Sequence, residues 1–477
     1  MTSRACRALI LAAGLVVGAA ACTDLTTEPK STVSGGTVFT DPNSYRAFLA
    51  KLYGGLSVTG QRGPDGDRDV EGIDEGFSQY LRQLWQLQEL PTDEAIIAWG
   101  DAGLPEMNTM QWGTTNQFIA ALYYRIFFQV ALANEFMRET SDEMLATRNN
   151  VSPALREEIQ QFRAEARFLR ALSYWHGMDI FGPIPLVTEL NRTGVAPPPQ
   201  ATRQQIYDFV VSELTAIMPA LPAIGQAEYG RADQGAAQML LAKVYLNAAV
   251  YTGTPRWAEA RAAAEAVISS GAYQLDDNYQ HLFLADNHLS PEMIFPVPSD
   301  GQKTRTWGGM TFLAHAPVGG DMNAANYGLS GGWWGLRLRP EVYGLYGAGD
   351  TRSSYFVMQS STTISDVSNF TQGVGAPKFR NVTSTGQPGS HGDFPDTDFP
   401  MFRLADAYLM YAEAVVRGGG GSPAQALAYV NAIRQRAYGD ASGNITQAQL
   451  TTDFILDERA RELFFEGHRR TDLVRYN

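Results

Sequence analysis

The stretch from Met401 to Tyr476 constrains the fold of this chain more than any other. It runs through MFRLADAYLMYAEAVVRGG, ALAYVNAIRQRA and TTDFILDERARELFFEGHRRTDLVRY, three predicted helices in succession. In the third, Leu456, Ala460, Leu463 and Phe464 fall at i, i+4, i+7 and i+8, one face of an α-helix. Between them stand Asp457, Glu458, Arg459, Arg461, Glu462 and Glu466. Glu458–Glu462 and Glu462–Glu466 repel at helical spacing, whereas Glu458–Arg461 and Arg459–Glu462 attract by only about 0.2–0.5 kcal/mol each when exposed. A lone helix gains little from this set. The pattern predicts a partly buried ion-pair network locking helices together, with Arg470, Asp472, Arg475 or neighbouring helices supplying partners. The competing readings are a solvated charged face and a pair of catalytic carboxylates; no cleft is indicated beside the acids.

The other end sets the location. Arg4 and Arg7 precede the apolar run Ala8–Ala21, too short for a comfortable membrane span, and the run closes on Ala19-Ala20-Ala21-Cys22. This predicts a bacterial lipoprotein signal over residues 1–21, with Cys22 as the lipid attachment point. Ala19 stands where Leu is more usual, so ordinary cleavage after Ala21 is the alternative. Loss of the two arginines takes the net charge from −13 to −15. Of the two cysteines, Cys6 leaves with the signal and Cys22 is consumed by lipid, so no thiol remains for a disulfide. The acidic balance argues against nucleic acid and against a basic lipid-binding patch. With 477 residues and 44% hydrophobic content the chain is long enough to bury a large core.

Residues 22–38 are polar and read as a tether. A helix is predicted over Asp41–Leu56, with Asp41 as N-cap and Pro42 at the first helical position. Further helices are predicted over Phe118–Met137, Ala154–His176, Thr202–Met218, Ala232–Tyr251 and Arg256–Ser270. Ile159, Phe162, Ala166, Leu169 and Ser173 make the stripe of the second of these five, and Gly182-Pro183 stops it. In the last two, small residues (Ala236, Ala237, Ala242, Ala248, Ala260, Ala263, Ala264) alternate with Leu241, Tyr245 and Trp257. Small residues at helical spacing let helices approach closely, as in stacked tetratricopeptide-type pairs. The pair at 402–437 has the same character. Between them, residues 296–400 are rich in Gly, Asn, Ser, Thr and Asp, with short strands expected at Met293–Val297 and Tyr355–Met358. The fold expected is mainly α: a tetratricopeptide-like helical repeat framework carrying a large irregular loop-rich insertion with a few short strands.

Several ordered strings resemble one family. They are Arg403-Leu404-Ala405-Asp406-Ala407-Tyr408-Leu409-Met410-Tyr411-Ala412-Glu413-Ala414, Val430-Asn431-Ala432-Ile433-Arg434, Leu456-Asp457-Glu458-Arg459, Glu462-Leu463, Phe465-Glu466-Gly467-His468-Arg469 and Asp472-Leu473-Val474-Arg475. Phe162–Ala171, Phe181–Val187 and Leu240–Leu246 extend the likeness over nearly the whole mature chain. The sequence resembles the SusD/RagB family of outer-membrane nutrient-uptake lipoproteins. That resemblance implies helical pairs with an irregular subdomain inserted before the last of them: framework at 39–295, ligand-binding insertion at 296–400, C-terminal helices at 401–477. Related proteins continue past the final helix, so the string is expected to be cut short here.

Candidate ligand residues come from local chemistry, since the family has no fixed ligand motif to carry across. Trp175 and Trp257 lie on helical stripes and read as core. Trp99, Trp112, Trp307, Trp333 and Trp334 lie in irregular stretches, where an indole offers a broad rigid face and one N–H donor. Such faces stack on sugar rings while polar neighbours bond the hydroxyls. The ligand-binding set expected is Trp99, Asp101, Trp112, Trp307, Asn326, Tyr327, Trp333 and Trp334, with Asn108, Asn323 and Arg337 as further polar neighbours. Gly328-Leu329-Ser330-Gly331-Gly332 matches a serine-hydrolase pattern but lacks the strand and helix that its chemistry requires, and reads as a loop. Asp65, Asp67, Asp69 and Glu71 suggest a calcium loop, yet Val70 and Gly76 occupy positions that need Gly and Glu, so this is an acidic surface loop. Asp393, Asp396 and Asp398 are read the same way. The six histidines are scattered, and there is no phosphate- or dinucleotide-binding fingerprint. No cofactor, metal or catalytic residue is expected.

The resemblance thus implies a surface-exposed outer-membrane lipoprotein, not an enzyme. It would capture an oligosaccharide, deliver it to a TonB-dependent SusC-like transporter and act as its lid. The alternatives are the same role for peptides or another nutrient, or an exported glycoside hydrolase using two carboxylates.

Overall fold

A computed structural model describes residues 38–64, 68–191 and 198–477. The signal, Cys22, most of the tether, Asp65 and Asp67 lie outside the described residues. The chain divides at Ser44. In the leading unit the Asp41 carboxylate accepts the Asn43 N–H at 2.9 Å, and the first long helix spans Asn43–Ser57, two residues later than Asp41.

The body, residues 45–477, is built from paired helices. Gln117–Glu139 packs on Pro153–Phe181, which packs on Arg203–Ile217. Gln234–Leu246 packs on Trp257–Ser269. Local chemistry explains the boundaries. Asn116 accepts the N–H groups of Phe118 and Ile119 at 3.0 and 3.2 Å. Ser152 caps Leu155, with Pro153 in the first turn. Thr202 and Gln205 form a capping box. Gly182, at φ 79°, a conformation that favours glycine, ends the helix Pro153–Phe181, whose last residue lies five beyond the expected His176. The predicted Ala232–Tyr251 helix breaks at Asn247 into Gln234–Leu246 and a short turn at Ala248–Thr252.

The stripe Ile159, Phe162, Ala166, Leu169 and Ser173 is buried, as are Ala236, Ala237, Ala242, Ala260 and Ala264 at the close approach of helices. Trp175 is core; Trp257 is half-buried beneath Arg417, whose guanidinium carbon stands 5.1 Å from its ring. Helix Trp257–Ser269 also packs directly on Leu404–Val416, which packs on Pro423–Tyr438. The chain therefore leaves the stack after Ser269, runs through residues 270–403, and returns to the same helix. Met293–Val297 pairs antiparallel with Phe399–Arg403 at the two ends of that excursion. The second strand corrects the expected helix start at Met401; the helix begins at Leu404. Within the excursion Leu336–Leu338 joins Ala95–Ile97 on one side and Val374–Gly375 on the other, and Val357–Met358 completes the sheet.

The charged C-terminal helix, Thr452–Glu462, buries its charges. Glu458 pairs with Arg352, Arg434 and Arg461 at 2.7–2.8 Å. Glu462 pairs with Arg352 at 3.1 Å, Arg403 at 2.7 Å and Arg436. Glu466 takes Arg403 and Lys378, each at 2.6 Å. Arg459 bridges Asp406 and Asp472 at 2.8 and 2.7 Å, rather than meeting Glu462. Arg475 pairs with Glu413 and Asp472, each at 2.7 Å. Burial works to raise the carboxyls of Glu458 and Glu462, but their arginines outweigh it and hold both down at about 2. Leu456, by contrast, is only half-buried. Network members Arg352 and Lys378 belong to the excursion, so the ion pairs fasten it to the framework.

Candidate functional site

The strand pair Ala95–Ile97 with Leu336–Leu338 sets the site. Their register aligns Ile97 with Leu336, and the Ala98 N–H continues the ladder to the Gly335 carbonyl at 2.9 Å. Trp99 is thereby laid beside Trp333, and its indole N–H donates to the Trp333 carbonyl at 3.0 Å. Gly335 makes this possible: a Cβ there would lie 2.6 Å from the Trp99 ring. The centroids of Trp99 and Trp333 are 6.3 Å apart and those of Trp333 and Trp307 are 6.4 Å apart. Neighbouring planes are inclined by 46° and 47°, so the three indoles form a bent row. Each is half-buried.

The row is backed by further rings. His315, at the end of helix Gly309–His315, stacks on Trp333 at 4.9 Å with its two nitrogens 2.7 and 3.0 Å from the Gly331 and Asp393 carbonyls. Phe312 meets Trp99 edge-on at 5.9 Å, and Phe394 lies 4.8 Å from Trp307. Gly76 passes behind Trp307, where a Cβ would approach the tryptophan Cβ to 2.9 Å.

Arg82 supplies the polar element. It sits in helix Tyr80–Glu89, whose N-cap Gln79 accepts the Arg82 N–H at 2.8 Å. Its guanidinium carbon is 4.4 Å from the Phe312 ring centroid and 5.9 Å from that of Trp99. One Nη donates to the Trp307 carbonyl at 3.4 Å, while the buried Nε has no partner among the described residues. Burial lowers the guanidinium's pKa to about 10, opposed by the charges of Asp74 and Asp101. A tryptophan row flanked by one arginine and two carboxylates can stack on a ring and bond its hydroxyls.

The structure thus brings together Trp99, Asp101, Trp307 and Trp333. It separates the rest. Trp334, at φ 55°, turns its ring onto Gly319 and Phe370, 5.8 Å away. Tyr327 packs against Ala314, Val318 and Leu329, and its carbonyl accepts the Asn381 N–H at 2.9 Å; Asn326 beside it is exposed. Trp112 lies in a groove of its own. Asn108 bonds both backbone groups of Ile97, at 3.1 and 2.8 Å, and Asn323 caps Ala325. Arg337 is fully buried and donates to the carbonyls of Asn369, Gln372 and Val367, so it pins a loop and is not available to a ligand.

Ser330 donates to the Asp393 carboxylate in a loop, without the strand-to-helix turn of a hydrolase nucleophile. Asp69 binds Lys51 through both oxygens, at 2.6 and 2.7 Å. Asp396 and Asp398 accept backbone N–H groups of Gly301 and Ser299. Glu458, Glu462 and Glu466 are buried and multiply paired, which removes them as a catalytic pair. Deeper cavities exist elsewhere, one of about 350 Å³ beside Leu49, Tyr53 and Phe295 and one of about 670 Å³ beside Tyr229, Asp300 and Asp396.

Comparison with known proteins settles the lineage. Residues 350–477 match the SusD family, and residues 84–246 match a family described as starch-binding and associating with the outer membrane. The starch-binding protein SusD of Bacteroides thetaiotaomicron is 33% identical over 98% of this chain and 89% of its own length. This chain belongs to the SusD family. A SusD-like protein of Bacteroides ovatus is 24% identical over 78% of this chain and 68% of its own length. The SusD fold is matched by a superfamily protein from Bacteroides thetaiotaomicron with TM-score 0.71 and 19% identity, over 91% of this chain and 89% of that one. It is also matched by surface glycan-binding protein A of that organism in complex with laminarihexaose, with TM-score 0.69 and 20% identity, over 91% and 89%. Membership places this SusD-family chain among outer-membrane-associated proteins.

Arg82, Asp74, Phe312 and His315 escaped the reading of the sequence. Their signal was faint: the helix that carries Arg82 reads YLRQLWQLQE and buries every residue, so no polar face announces it.

Proposed function

We propose that this chain is a glycan-binding lipoprotein of the outer membrane that captures an oligosaccharide without cleaving it. The observation that carries the reading is the row Trp99–Trp333–Trp307 with the Arg82 guanidinium 5.9 Å from the Trp99 ring. Ring faces supply stacking area at low entropic cost, and Arg82, Asp74 and Asp101 supply hydroxyl recognition. The 33%-identical starch-binding relative favours an α-glucan as ligand. Through Cys22 the chain is anchored by lipid, and it delivers ligand to a TonB-dependent SusC-like transporter that it covers as a lid.

Calorimetric titration with maltooligosaccharides tests the reading. Saturable binding, weakened by Trp333→Ala and with no change in the sugar over hours, supports it. Release of shorter sugars in proportion to protein, abolished by one Asp or Glu substitution, would replace it with hydrolysis. Binding untouched by Trp99→Ala, Trp307→Ala and Trp333→Ala would move the site elsewhere.

A further inference from the structure

We infer that Trp112 and its groove form a second glycan-binding site, distinct from the tryptophan row, that engages polymeric ligand. The inference rests on the glycan reading above. The groove encloses about 520 Å³ and is lined by Trp112, Thr114, Asn116, Tyr123, Tyr124 and Phe181. Its aromatic walls are unusually open: Trp112 is 45% exposed and Tyr124 51%. The indoles of Trp85, Trp99 and Trp175 each donate to a protein oxygen, whereas among the described residues the Trp112 N–H has no such acceptor and its ring no ring partner. The hydroxyls of Thr114, Tyr123 and Tyr124 are likewise not donated to protein atoms among the described residues.

The surrounding loop is nevertheless held firmly. The short helix Leu104–Thr109 ends at Met110 in left-handed backbone, φ 56°, a conformation that costs a non-glycine residue free energy. Beyond it Glu106 accepts the Gly113 N–H at 3.4 Å and the Asn116 side-chain N–H at 2.8 Å. Asn116 is thereby occupied, which leaves the three hydroxyls and the indole N–H as the donors facing the groove. A fastened loop that holds an indole 45% exposed keeps a broad apolar face in water. Exposed aromatic faces with hydroxyl and N–H donors suit the apolar face and hydroxyl rim of a sugar ring. The placement suits a long chain. The single strap Ala98–Asn116 carries Trp99 and Asp101 at one end and Trp112 at the other, so both aromatic sites are mounted on one short segment. Two linked sites raise retention of a polymer without raising affinity for a short ligand.

The test compares maltotriose, read by calorimetry, with soluble starch, read by retardation in affinity gels. Trp112→Ala is expected to leave maltotriose affinity unchanged within about twofold and to weaken starch retention about fivefold or more. In a Trp99→Ala/Trp333→Ala background, residual starch retention is expected to vanish on adding Trp112→Ala. Trp112→Phe, which keeps part of the face, should fall between, and an unchanged melting temperature shows that the fold is intact. Equal starch retention by Trp112→Ala and wild type overturns the second site. So does an equal loss of maltotriose and starch binding, which would make Trp112 part of the first. Normal starch retention with weakened co-purification of a barrel partner would also overturn it and make the groove a protein contact. If wild type binds neither ligand, the primary reading fails and takes this one with it.

Discussion

The indole N–H of Trp99 donates to the backbone carbonyl of Trp333 at 3.0 Å, joining two rings that are 234 residues apart in the chain. Trp99 is thus held by the loop that carries Trp333. The ring of Trp333 is fixed further by His315 on one face. Trp333→Ala is expected to lower oligosaccharide affinity at least about tenfold, about 1.4 kcal/mol, with little change in melting temperature. Titration calorimetry of the folded variant reads this directly.

Gly335 tests whether the pose of Trp99 matters apart from its presence. A methyl group at this position would meet the ring at 2.6 Å and push it from the row. Gly335→Ala is expected to weaken binding severalfold while every tryptophan remains in place. Normal affinity would show that the ring tolerates displacement.

Arg82→Met keeps an unbranched side chain but removes the guanidinium that stands 4.4 Å from the Phe312 ring centroid. Stacking should survive and hydroxyl recognition should not. The expected result is weaker binding with a less favourable binding enthalpy, measured against wild type at one temperature.

The buried ions govern stability instead. Glu462 holds Arg352, Arg403 and Arg436 at once. Glu462→Ala would leave three guanidinium groups short of an anion, and breaking a buried pair in this way costs about 3–5 kcal/mol. Chemical denaturation should show that loss, while ligand affinity of the fraction that folds stays near wild type.

Acid should expose the same network. Glu458, Glu462 and Asp472 titrate at about 2 in the folded chain, below the ordinary carboxyl range. Folded values lower than unfolded ones mean that their stabilisation is complete above the unfolded pKa and is lost as pH falls from about 4.5 towards 2. Glu89 has the opposite sign. Burial pushes it up to about 7, so it favours the fold at acid pH and loses that contribution as pH rises from about 4.5 through 7. Burial also pushes up Glu94, which shares a hydrogen bond with Glu89, so Glu89→Gln should lessen the loss of stability on the neutral side without abolishing it.

Much of the frame was legible in the sequence because its causes are local. Capping residues and 3.6-residue periodicity marked the long helices, and unmatched charges around Glu458 and Glu462 signalled partners elsewhere. The last three residues of strand Phe399–Arg403, Met401 to Arg403, were read as the start of a helix because the strand's register comes from Met293–Val297, about a hundred residues earlier. The candidate site was legible only in parts. Trp99, Trp307 and Trp333 are recognisable as loop tryptophans, but their gathering depends on a short strand pair and on glycines at 76 and 335. Arg337 misled because a charged residue in a polar stretch looks available, whereas it is fully buried with both Nη atoms donated to three backbone carbonyls.

Residues 270–403 begin and end against neighbouring turns of the same stack, Trp257–Ser269 on Leu404–Val416. With its ends already side by side, the intervening segment resembles a cartridge in a fixed socket. Doubling the length of such a closed segment costs only about 0.6 kcal/mol in chain entropy. The socket can therefore accept longer or shorter cartridges while the stack stays as it is, and a change of glycan preference need not be a change of protein architecture.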